Sequence, residues 1–478
     1  MAKFPNTIPA RLLHGVLSSA LLLLPATLSQ AAPKRAKPAV QQPAPPAASS
    51  SEPRQQTRCG EEDALPSSSG RDASMAEPAN VDPRTQLQQL VQTALRRSQS
   101  IGMMTLLAQA ASDDLEETRA SRLPQVNLGG TFSQVGSKPG SYPLEQGAQA
   151  QVTLSVSAPI YDFGRLQQLA AWRSQLAESA RLGLMNAEQQ LALQTVALAM
   201  DRSRYQLQIQ IYGQYVRKMA CLVEALETIV KADRGRSSEL VQAQKNRQQA
   251  ELAVEQTHSA LRQVEIRLKR FVGDDLPPSA SYAALLTQVP DLGELQRDAD
   301  QAVDLAQLAA QERAQARYAE SVAAGYKPQV NLLLNGTGIA GQSRGSDYVV
   351  GLSVSVPLYN AAAAPGIAAA QKRAEVARLQ REDALETRRY RLADMHESAS
   401  SAFDRARRIV ELLRNSDRVR AATLQQWQQL GRRSLFDVMG SEADYYGLRV
   451  AHVNAIFDGQ QAVALLWSMG RGVMTPLR

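Results

Sequence analysis

The sequence repeats itself at an offset of about 200 residues, and this repeat constrains the fold more than any other feature. Three landmarks recur in the same order, which is hard to obtain by chance. The unit is far longer than the roughly 20–50 residues of a solenoid repeat. We therefore expect two similar halves. The paired landmarks are Pro124–Leu128 with Pro328–Leu332, Leu154–Ser157 with Leu352–Ser355, and Gly235–Ser238 with Gly431–Ser434.

Each half has the same order of predicted elements: helix, strand, loop, strand, long helix, tight turn, helix. The long helices contain almost no Gly or Pro, and about 65 residues at ~1.5 Å each reach roughly 100 Å. Their apolar residues repeat every seven positions, which predicts helix–helix seams but also fits an ordinary helical bundle. The predicted helices span about 84–122, 165–232, 238–271, 293–324, 366–430 and 434–470.

Four short segments between the helices alternate apolar and polar residues, as strands do. Each has about 9–11 residues, the length that crosses a bilayer as a tilted strand. The polar face carries small neutral groups, as a water-filled lumen requires. The alternative is a pair of soluble hairpins with one solvated face. The apolar sets are Val126, Leu128, Gly130 and Phe132; Ala150, Val152, Leu154 and Val156; Val330, Leu332 and Leu334; and Tyr348, Val350, Leu352, Val354 and Val356.

Four strands do not close a barrel around a pore, and an open sheet edge cannot face lipid. Several subunits must therefore share one barrel if these strands cross a membrane. Three subunits would give about twelve strands, although composition does not fix that number. Aromatic residues near the strand ends are predicted at the two membrane interfaces. They are Phe132, Tyr142, Tyr161, Phe163, Tyr326, Tyr348 and Tyr359.

The N-terminus is predicted to be a secretory signal. The basic residues Lys3 and Arg11 precede an apolar run, and Ser29–Ala31 has small residues where a signal peptidase cleaves. The run of about 13 residues is too short for a spanning helix; an uncleaved anchor is the alternative. We expect the following organisation: 1–31 signal peptide; 32–83 disordered Pro/Ala/Ser-rich leader; 84–275 first repeat, with strands about 125–134 and 149–158; 276–292 linker; 293–470 second repeat, with strands about 329–338 and 347–356; and 471–478 C-terminal tail.

The composition argues against nucleic-acid binding and against catalysis. The net charge is +7, but basic residues alternate with acidic ones along the helices, as on solvated faces. Cys59 and Cys221 form neither a disulfide framework nor a metal site, and the four histidines are scattered. No Gly-rich phosphate loop follows a strand. We expect no catalytic residue, cofactor or metal, and therefore no enzyme.

These features together resemble the TolC-like outer-membrane efflux family over roughly residues 84–470. Family strands begin after a helix-ending proline, as at Pro124 and Pro328, and Pro159 and Pro357 mark the strand exits. The family's long-helix turn has the pattern Gly-x-x-Ser/Thr-x-x-Asp-Val, which residues 431–438 match. The first-half turn, with Gly235 and Ser238, lacks the aspartate.

The resemblance implies a mainly α fold with a small transmembrane β part: a trimeric 12-stranded barrel in the outer membrane on a long periplasmic helical tunnel. It implies that the two turns form the periplasmic tip and dock on a membrane-fusion adaptor and an inner-membrane ABC or RND-type transporter. It also implies a constriction ring at Asp437 and a tether at Arg433, next to Gly431 and Ser434. Gly440 and Gln428 replace a second ring carboxylate and a tethering tyrosine.

Simpler readings of the same residues stay open. Asp437 can be a solvated carboxylate at a helix start, Arg433 a surface arginine, and Gly235 and Gly431 plain turn residues.

The leading functional hypothesis is passive conduction, with the protein as the exit duct of a type I protein secretion system. The stretch 426–437 resembles exporters of large adhesin-type proteins, and the lack of a lipid-anchor cysteine points the same way. Small-molecule or drug efflux is the alternative, and a periplasmic coiled-coil scaffold is a remote one.

Overall fold

The computed structural model describes residues 82–137, 145–277, 281–341, 344–430 and 433–478. The predicted signal peptide, nearly all of the leader, and Cys59, Tyr142 and Gly431 lie outside the described residues. The first half contains α1 (Pro83–Arg97), α2 (Gln99–Ala120), β1 (Gln125–Ser137), β2 (Glu145–Tyr161), α3 (Arg165–Ala232) and α4 (Ser237–Val272). The second contains α5 (Leu292–Ala299), α6 (Val303–Gly325), β3 (Gln329–Gly341), β4 (Gly345–Ser355), α7 (Ala363–Leu430) and α8 (Leu435–Ser468).

The first helix of each half is broken where the sequence predicts a continuous one. In the first half, Ser98 has an extended backbone and its hydroxyl accepts a hydrogen bond from the Ile101 N–H, so it ends α1 and caps α2. Ser is a strong capping residue because it satisfies an otherwise unpaired helical N–H. In the second half the break lies at 300–302, where Ala302 is extended before α6. Both breaks fall at equivalent places in the repeat.

The two long helices, α3 and α7, have 68 residues each and are therefore about 100 Å long. Their apolar stripes form the predicted seams. Met219, Val223 and Leu226 of α3 are buried against Leu435 and Val438 of α8 in a cluster next to the helical turns. None of the described helices combines the length and the apolar character needed to cross a bilayer.

The helices form two stacked layers with different orders. Next to the sheet the order is α2–α3–α6–α7, so α2 and α7 are the outer helices. Beyond the middle of the molecule the order becomes α4–α3–α8–α7, so α4 and α7 are outermost. The long helices α3 and α7 run through both layers, and each shorter pair lies end to end beside them, as the repeat predicts.

The largest apolar core lies where the two layers meet. It contains α1, the linker and the C-terminal tail, packed on α3 and α8, with Leu87, Tyr282 and Leu477 all buried. Gln460 of α8 fixes the linker there. Its amide nitrogen donates to the backbone oxygens of Tyr282, Ala283 and Leu285 at 3.0, 2.8 and 2.6 Å.

The four strands form one antiparallel sheet in the order β1–β2–β3–β4. Two hairpins, β1–β2 and β3–β4, are joined by pairing between β2 and β3, which lie almost 200 residues apart. The strands continue beyond their expected bounds, to Tyr161 in β2 and to Gly341 in β3. β1 and β4 each have one edge without a partner strand in the described chain.

Candidate functional site

The register places the apolar residues of all four strands on one face of the sheet. Leu128 lies opposite Leu154, Val156 opposite Leu334, and Leu332 opposite Leu352, so the faces predicted separately for each strand coincide. Most of these side chains are exposed in the isolated chain, including Leu128, Val152 and Leu352. The opposite face is mostly Gln, Asn, Ser, Thr and Gly. Its large apolar exceptions are Val135, Leu333, Ile339 and Val349.

A β-bulge at Ile160 sets the helix-proximal limit of the apolar face. Pro159 pairs with Asn331, and the next pairing joins Tyr161 to Val330, so Ile160 is the extra residue. The bulge shifts Tyr161 onto the apolar face. The chain then turns into α3 through Phe163 and Gly164, both at positive φ.

The apolar face has the height of a membrane band. Ten residue steps separate Ala150 from Ile160, which at ~3.3 Å per step and a tilt of about 40° gives roughly 25 Å, the height of the lipid-facing band of outer-membrane barrels. Aromatic side chains lie near both limits: Phe132 and Tyr348 (80% and 84% exposed) at the loop end, and Tyr161 and Phe163 at the helix end.

The predicted prolines lie where strands begin or end. Pro124 directly precedes β1, Pro328 directly precedes β3, and Pro357 follows β4 by two residues. Pro159 lies inside β2, next to the bulge. Bulges are among the few sheet positions that accept a residue without an N–H donor.

At the second-half turn, the structure brings Arg433, Ser434 and Asp437 together. Ser434 caps α8 by accepting from the Phe436 N–H, and Asp437 accepts from the Ser434 N–H at 3.3 Å, which completes a capping box. Arg433 lies 3.8 Å from the Asp437 carboxylate and donates to Gln426. Both charged side chains are about half exposed. Within the single chain, Asp437 therefore acts as a carboxylate at the start of a helix. Gly431, the first residue of the turn motif, lies outside the described residues.

Arg433 and Asp437 line a groove of about 880 Å³ between α7 and α8. Arg433, Asp437 and Asp444 contribute its charges, and Leu412 and Val419 of α7 contribute apolar surface. Gly440 also lines it, and a side chain there would meet open space. The position where a second ring carboxylate was expected therefore faces the same groove as Asp437.

The first-half turn is built differently. Residues Arg234–Arg236 form one turn of 3-10 helix, and Asp233 accepts a hydrogen bond from the Gly235 N–H at 3.0 Å. Gly235 does not adopt a left-handed backbone. Because Gly235 has no Cβ, it leaves space for the Asp233 carboxylate. A Cβ at this position would lie 3.1 Å from Asp233 Oδ1. Ser238 lies in the first turn of α4.

A buried ionic cluster that no sequence motif predicted lies beside the tip. Lys218 of α3 and Glu442 of α8 are 2% and 0% exposed, with Nζ and Oε1 3.6 Å apart. Arg420 of α7 approaches the other Glu442 oxygen at 3.4 Å and pairs with Asp417 at 2.8 Å. The cluster therefore joins three helices. The only sequence signal is a charged residue, Lys218, next to the apolar seam position Met219.

Aromatic rings surround this cluster. The Arg420 guanidinium lies 4.3 Å from the centre of the Tyr445 ring, and the Tyr215 and Tyr446 rings are 5.1 Å apart. Burial, with a smaller effect of the Glu442 and Asp444 charges, raises the pKa of Tyr215 to about 12. The phenol is therefore neutral at ordinary pH, as a low-dielectric surrounding favours.

The described residues contain no group of three or more His, Cys, Asp or Glu side chains able to hold a metal ion. The site is instead defined by its geometry. One face of the sheet is apolar over the height of a membrane, the opposite face is mostly polar, and about 100 Å of helix ends in a charged tip. This combination defines the class of helical-tunnel and barrel channels.

Residues 90–274, which span nearly the whole first repeat, match the family model described as outer membrane efflux protein. The match confirms the resemblance, and with it the class of outer-membrane efflux channel. The family model describes a channel, so the expectation that the chain is no enzyme is confirmed as well. No curated protein sequence matches the chain.

Solved structures share the fold across most of the chain. CusC aligns with a TM-score of 0.73 at 17% identity, over 81% of this chain and 92% of that one. A membrane protein from Pseudomonas aeruginosa aligns with a TM-score of 0.73 at 16% identity, over 84% and 98%. VceC from Vibrio cholerae gives 0.69 at 16%, over 81% and 96%. At these identities the likeness establishes the fold.

Proposed function

We propose that the chain is one subunit of a homotrimeric outer-membrane channel, with its sheet in the bilayer and its helices in the periplasm. One observation carries the proposal: a single apolar face spans all four strands of a sheet whose two edges are unpaired. Lipid cannot satisfy the backbone groups of such edges, so further copies must pair with them. Three copies give about twelve strands, enough to enclose a lumen.

The outer helices support the same arrangement. α2 exposes Met103, Leu106 and Leu107, and α7 exposes Val376 and Leu379. These helices flank the sheet-proximal layer, whose order parallels that of β1 to β4. A second copy placed beside β1 would therefore also bring its α7 towards α2 and cover both apolar surfaces.

The matched test places a charge on each face of β2. Val152→Arg puts a guanidinium on the apolar face, two residue steps inside the loop-side border of the band, at a cost between the ~2–4 kcal/mol of the bilayer midplane and the ~0–1 kcal/mol of the interfaces. Thr153→Arg puts the same group on the polar face, where water can solvate it. We expect Val152→Arg to abolish the heat-modifiable oligomer in outer-membrane fractions and Thr153→Arg to preserve it. Equal oligomer yields from both variants would contradict the facing of the sheet and with it the channel.

For the cargo, we propose that the channel is the exit duct of a type I protein secretion system, working with an inner-membrane ABC transporter and a membrane-fusion adaptor. The stretch 426–437, which contains the Ser434–Asp437 capping box, supports this through its resemblance to exporters of large adhesin-type proteins. Small-molecule efflux with an RND-type pump is the second candidate, favoured by the description of the matching family model as an efflux protein.

A deletion strain distinguishes the two candidates. Loss of one or a few large proteins from the cell surface and medium, with unchanged drug susceptibility, supports secretion. Increased susceptibility to several drugs with an unchanged set of secreted proteins would favour efflux. Restoration of the phenotype by the full chain, but not by Val152→Arg, links the effect to the channel.

A further inference from the structure

A small pocket lies where the apolar face of the sheet meets the helices. It has a volume of about 280 Å³ and lies between the C-terminal end of α2, the bulged end of β2 and the first turn of α3. Ile160 and Tyr161 form its apolar side and are 57% and 55% exposed. Because the bulge puts Tyr161 on the apolar face, the pocket opens at the helix-proximal border of the membrane band.

The polar side of the pocket carries one cation and one anion. Arg122 is exposed there, and no described carboxylate lies within ion-pair distance of it. Asp162 is held in place because its two carboxylate oxygens accept the N–H groups of Gly164 and Leu166, at 3.0 and 2.7 Å. Each of these oxygens retains a lone pair for a further donor. Gln167 adds an exposed amide.

Neighbouring charges are already engaged. Arg119, one turn before Arg122, pairs with Glu116 at 2.6 Å. The Lys327 ammonium lies 5.8 Å from the centre of the Phe163 ring, which itself packs edge-on against Tyr161. Arg122 and Asp162 are therefore the charged groups that the pocket offers to a ligand.

We propose that this pocket binds the headgroup of phosphatidylethanolamine in the leaflet next to the helices. Arg122 pairs with the lipid phosphate through charge-assisted hydrogen bonds, and Asp162 accepts from the primary ammonium. The acyl chains lie against Ile160 and the apolar face. The inference rests on the proposed function, because it requires the sheet to be embedded in lipid.

The pairing of charges predicts a headgroup order. Phosphatidylglycerol carries the phosphate but no cation for Asp162, so it binds less well. Phosphatidylcholine has a quaternary ammonium without N–H donors and cannot hydrogen-bond to the carboxylate. We expect phosphatidylethanolamine to bind best of the three.

The test uses the full chain in nanodiscs made from equal parts of the three lipids, with retained lipid identified by native mass spectrometry. Arg122→Gln is expected to reduce retained phosphatidylethanolamine about tenfold, the effect of one charge-assisted hydrogen bond. Asp162→Asn keeps a helix-capping oxygen but removes the charge, and is expected to abolish the preference over phosphatidylglycerol. Arg119→Gln is the matched control and should leave retention unchanged.

Equal retention by the wild type, Arg122→Gln and Arg119→Gln would overturn the site, as would a wild type without headgroup preference. A chain that inserts and conducts while failing in this way refutes only the lipid site. A chain that does not insert into the nanodisc refutes the proposed function as well. Intact oligomer in the Arg122→Gln sample shows that any lipid loss is not unfolding.

Discussion

At the scale of single residues, the buried ionic cluster beside the tip carries a large desolvation free energy. Lys218 and Glu442 are removed from water, and their attraction offsets that desolvation only while both charges are present. Arg420 brings a second positive charge to Glu442 from α7. The cluster therefore fixes the positions of three helices relative to one another at this point along the bundle. Apolar seams alone specify such positions less precisely.

Removing one charge of this pair should destabilise the protein strongly. Glu442→Gln keeps the shape of the side chain but removes the buried negative charge 3.6 Å from the Lys218 ammonium, and should cost about 3 kcal/mol or more. Thermal unfolding in detergent measures the loss. Glu375→Gln breaks an exposed pair with Arg378 and should leave unfolding unchanged. A stronger effect of Glu375→Gln than of Glu442→Gln would show that burial does not determine the cost.

Two tyrosines, the half-buried Tyr215 and the buried Tyr282, should titrate late. Burial raises the pKa of both Tyr215 and Tyr282 to about 12. Because folding favours the protonated phenols, their contribution to stability is complete below pH 10, the ordinary tyrosine pKa, and is lost as the pH rises to about 12. Absorbance at the tyrosinate band should show late-titrating groups, one fewer in Tyr215→Phe and one fewer in Tyr282→Phe. Titration of all tyrosines of the folded protein near pH 10 would contradict this.

At the scale of elements, α8 begins with a capping box that uses the same carboxylate as the predicted gate. Asp437 satisfies the Ser434 N–H and lies near Arg433, so its position is fixed by helix capping before any second copy is present. Capping and gating are therefore compatible roles, since a fixed carboxylate at the tip is also well placed to act on ions in a narrow passage.

Two substitutions separate these roles. Asp437→Asn removes the charge but keeps an oxygen that can accept from Ser434, so we expect weaker block by divalent cations and altered single-channel conductance with unchanged thermal stability. Ser434→Ala keeps the charge but removes a cap worth about 1 kcal/mol, so we expect lower stability with the block retained. Planar-bilayer recordings and thermal unfolding give both measurements. An unchanged record for Asp437→Asn leaves Asp437 with its capping role alone.

At the scale of the whole molecule, the described sheet and the described helices end in two open sides. The sheet ends in unpaired edges at β1 and β4, and the sheet-proximal helical layer ends at α2 and α7. The isolated chain thus exposes apolar helix surface and backbone donors and acceptors together. Copies arranged in a ring would bury both kinds of surface at once, which makes folding and assembly interdependent.

A charge on the outer surface of α2 should therefore interfere with assembly. Leu106 is 66% exposed in the single chain. Leu106→Glu should lower the yield of oligomer, because a carboxylate would be buried between copies without a partner. Gln109→Glu, on the same helix but towards its flank, is the control and should assemble normally. Cross-linking and size analysis of the purified proteins measure the oligomer yield of both variants. A wild-type protein that is a stable monomer would refute the ring.

Much of the fold could be predicted because it depends on local patterns. Alternation with period two identified all four strands, and long stretches with almost no Gly or Pro identified α3 and α7. The breaks at Ser98 and at 300–302 were missed, because single polar residues within a helical pattern also occur on solvated faces. At the tip, the turn motif singled out Ser434 and Asp437, but it did not indicate their capping box.

The sequence by itself determined which segments are helices and strands, that they repeat, and that each strand has one apolar face, since these properties arise from neighbours within a few residues. Only the tertiary structure decided that the four apolar faces coincide, that a bulge puts Tyr161 on the apolar face, and that Lys218, Arg420 and Glu442 meet. Those outcomes depend on how segments up to 224 residues apart are aligned, as Lys218 and Glu442 are. Register follows from how complete side chains pack together, which no local pattern encodes.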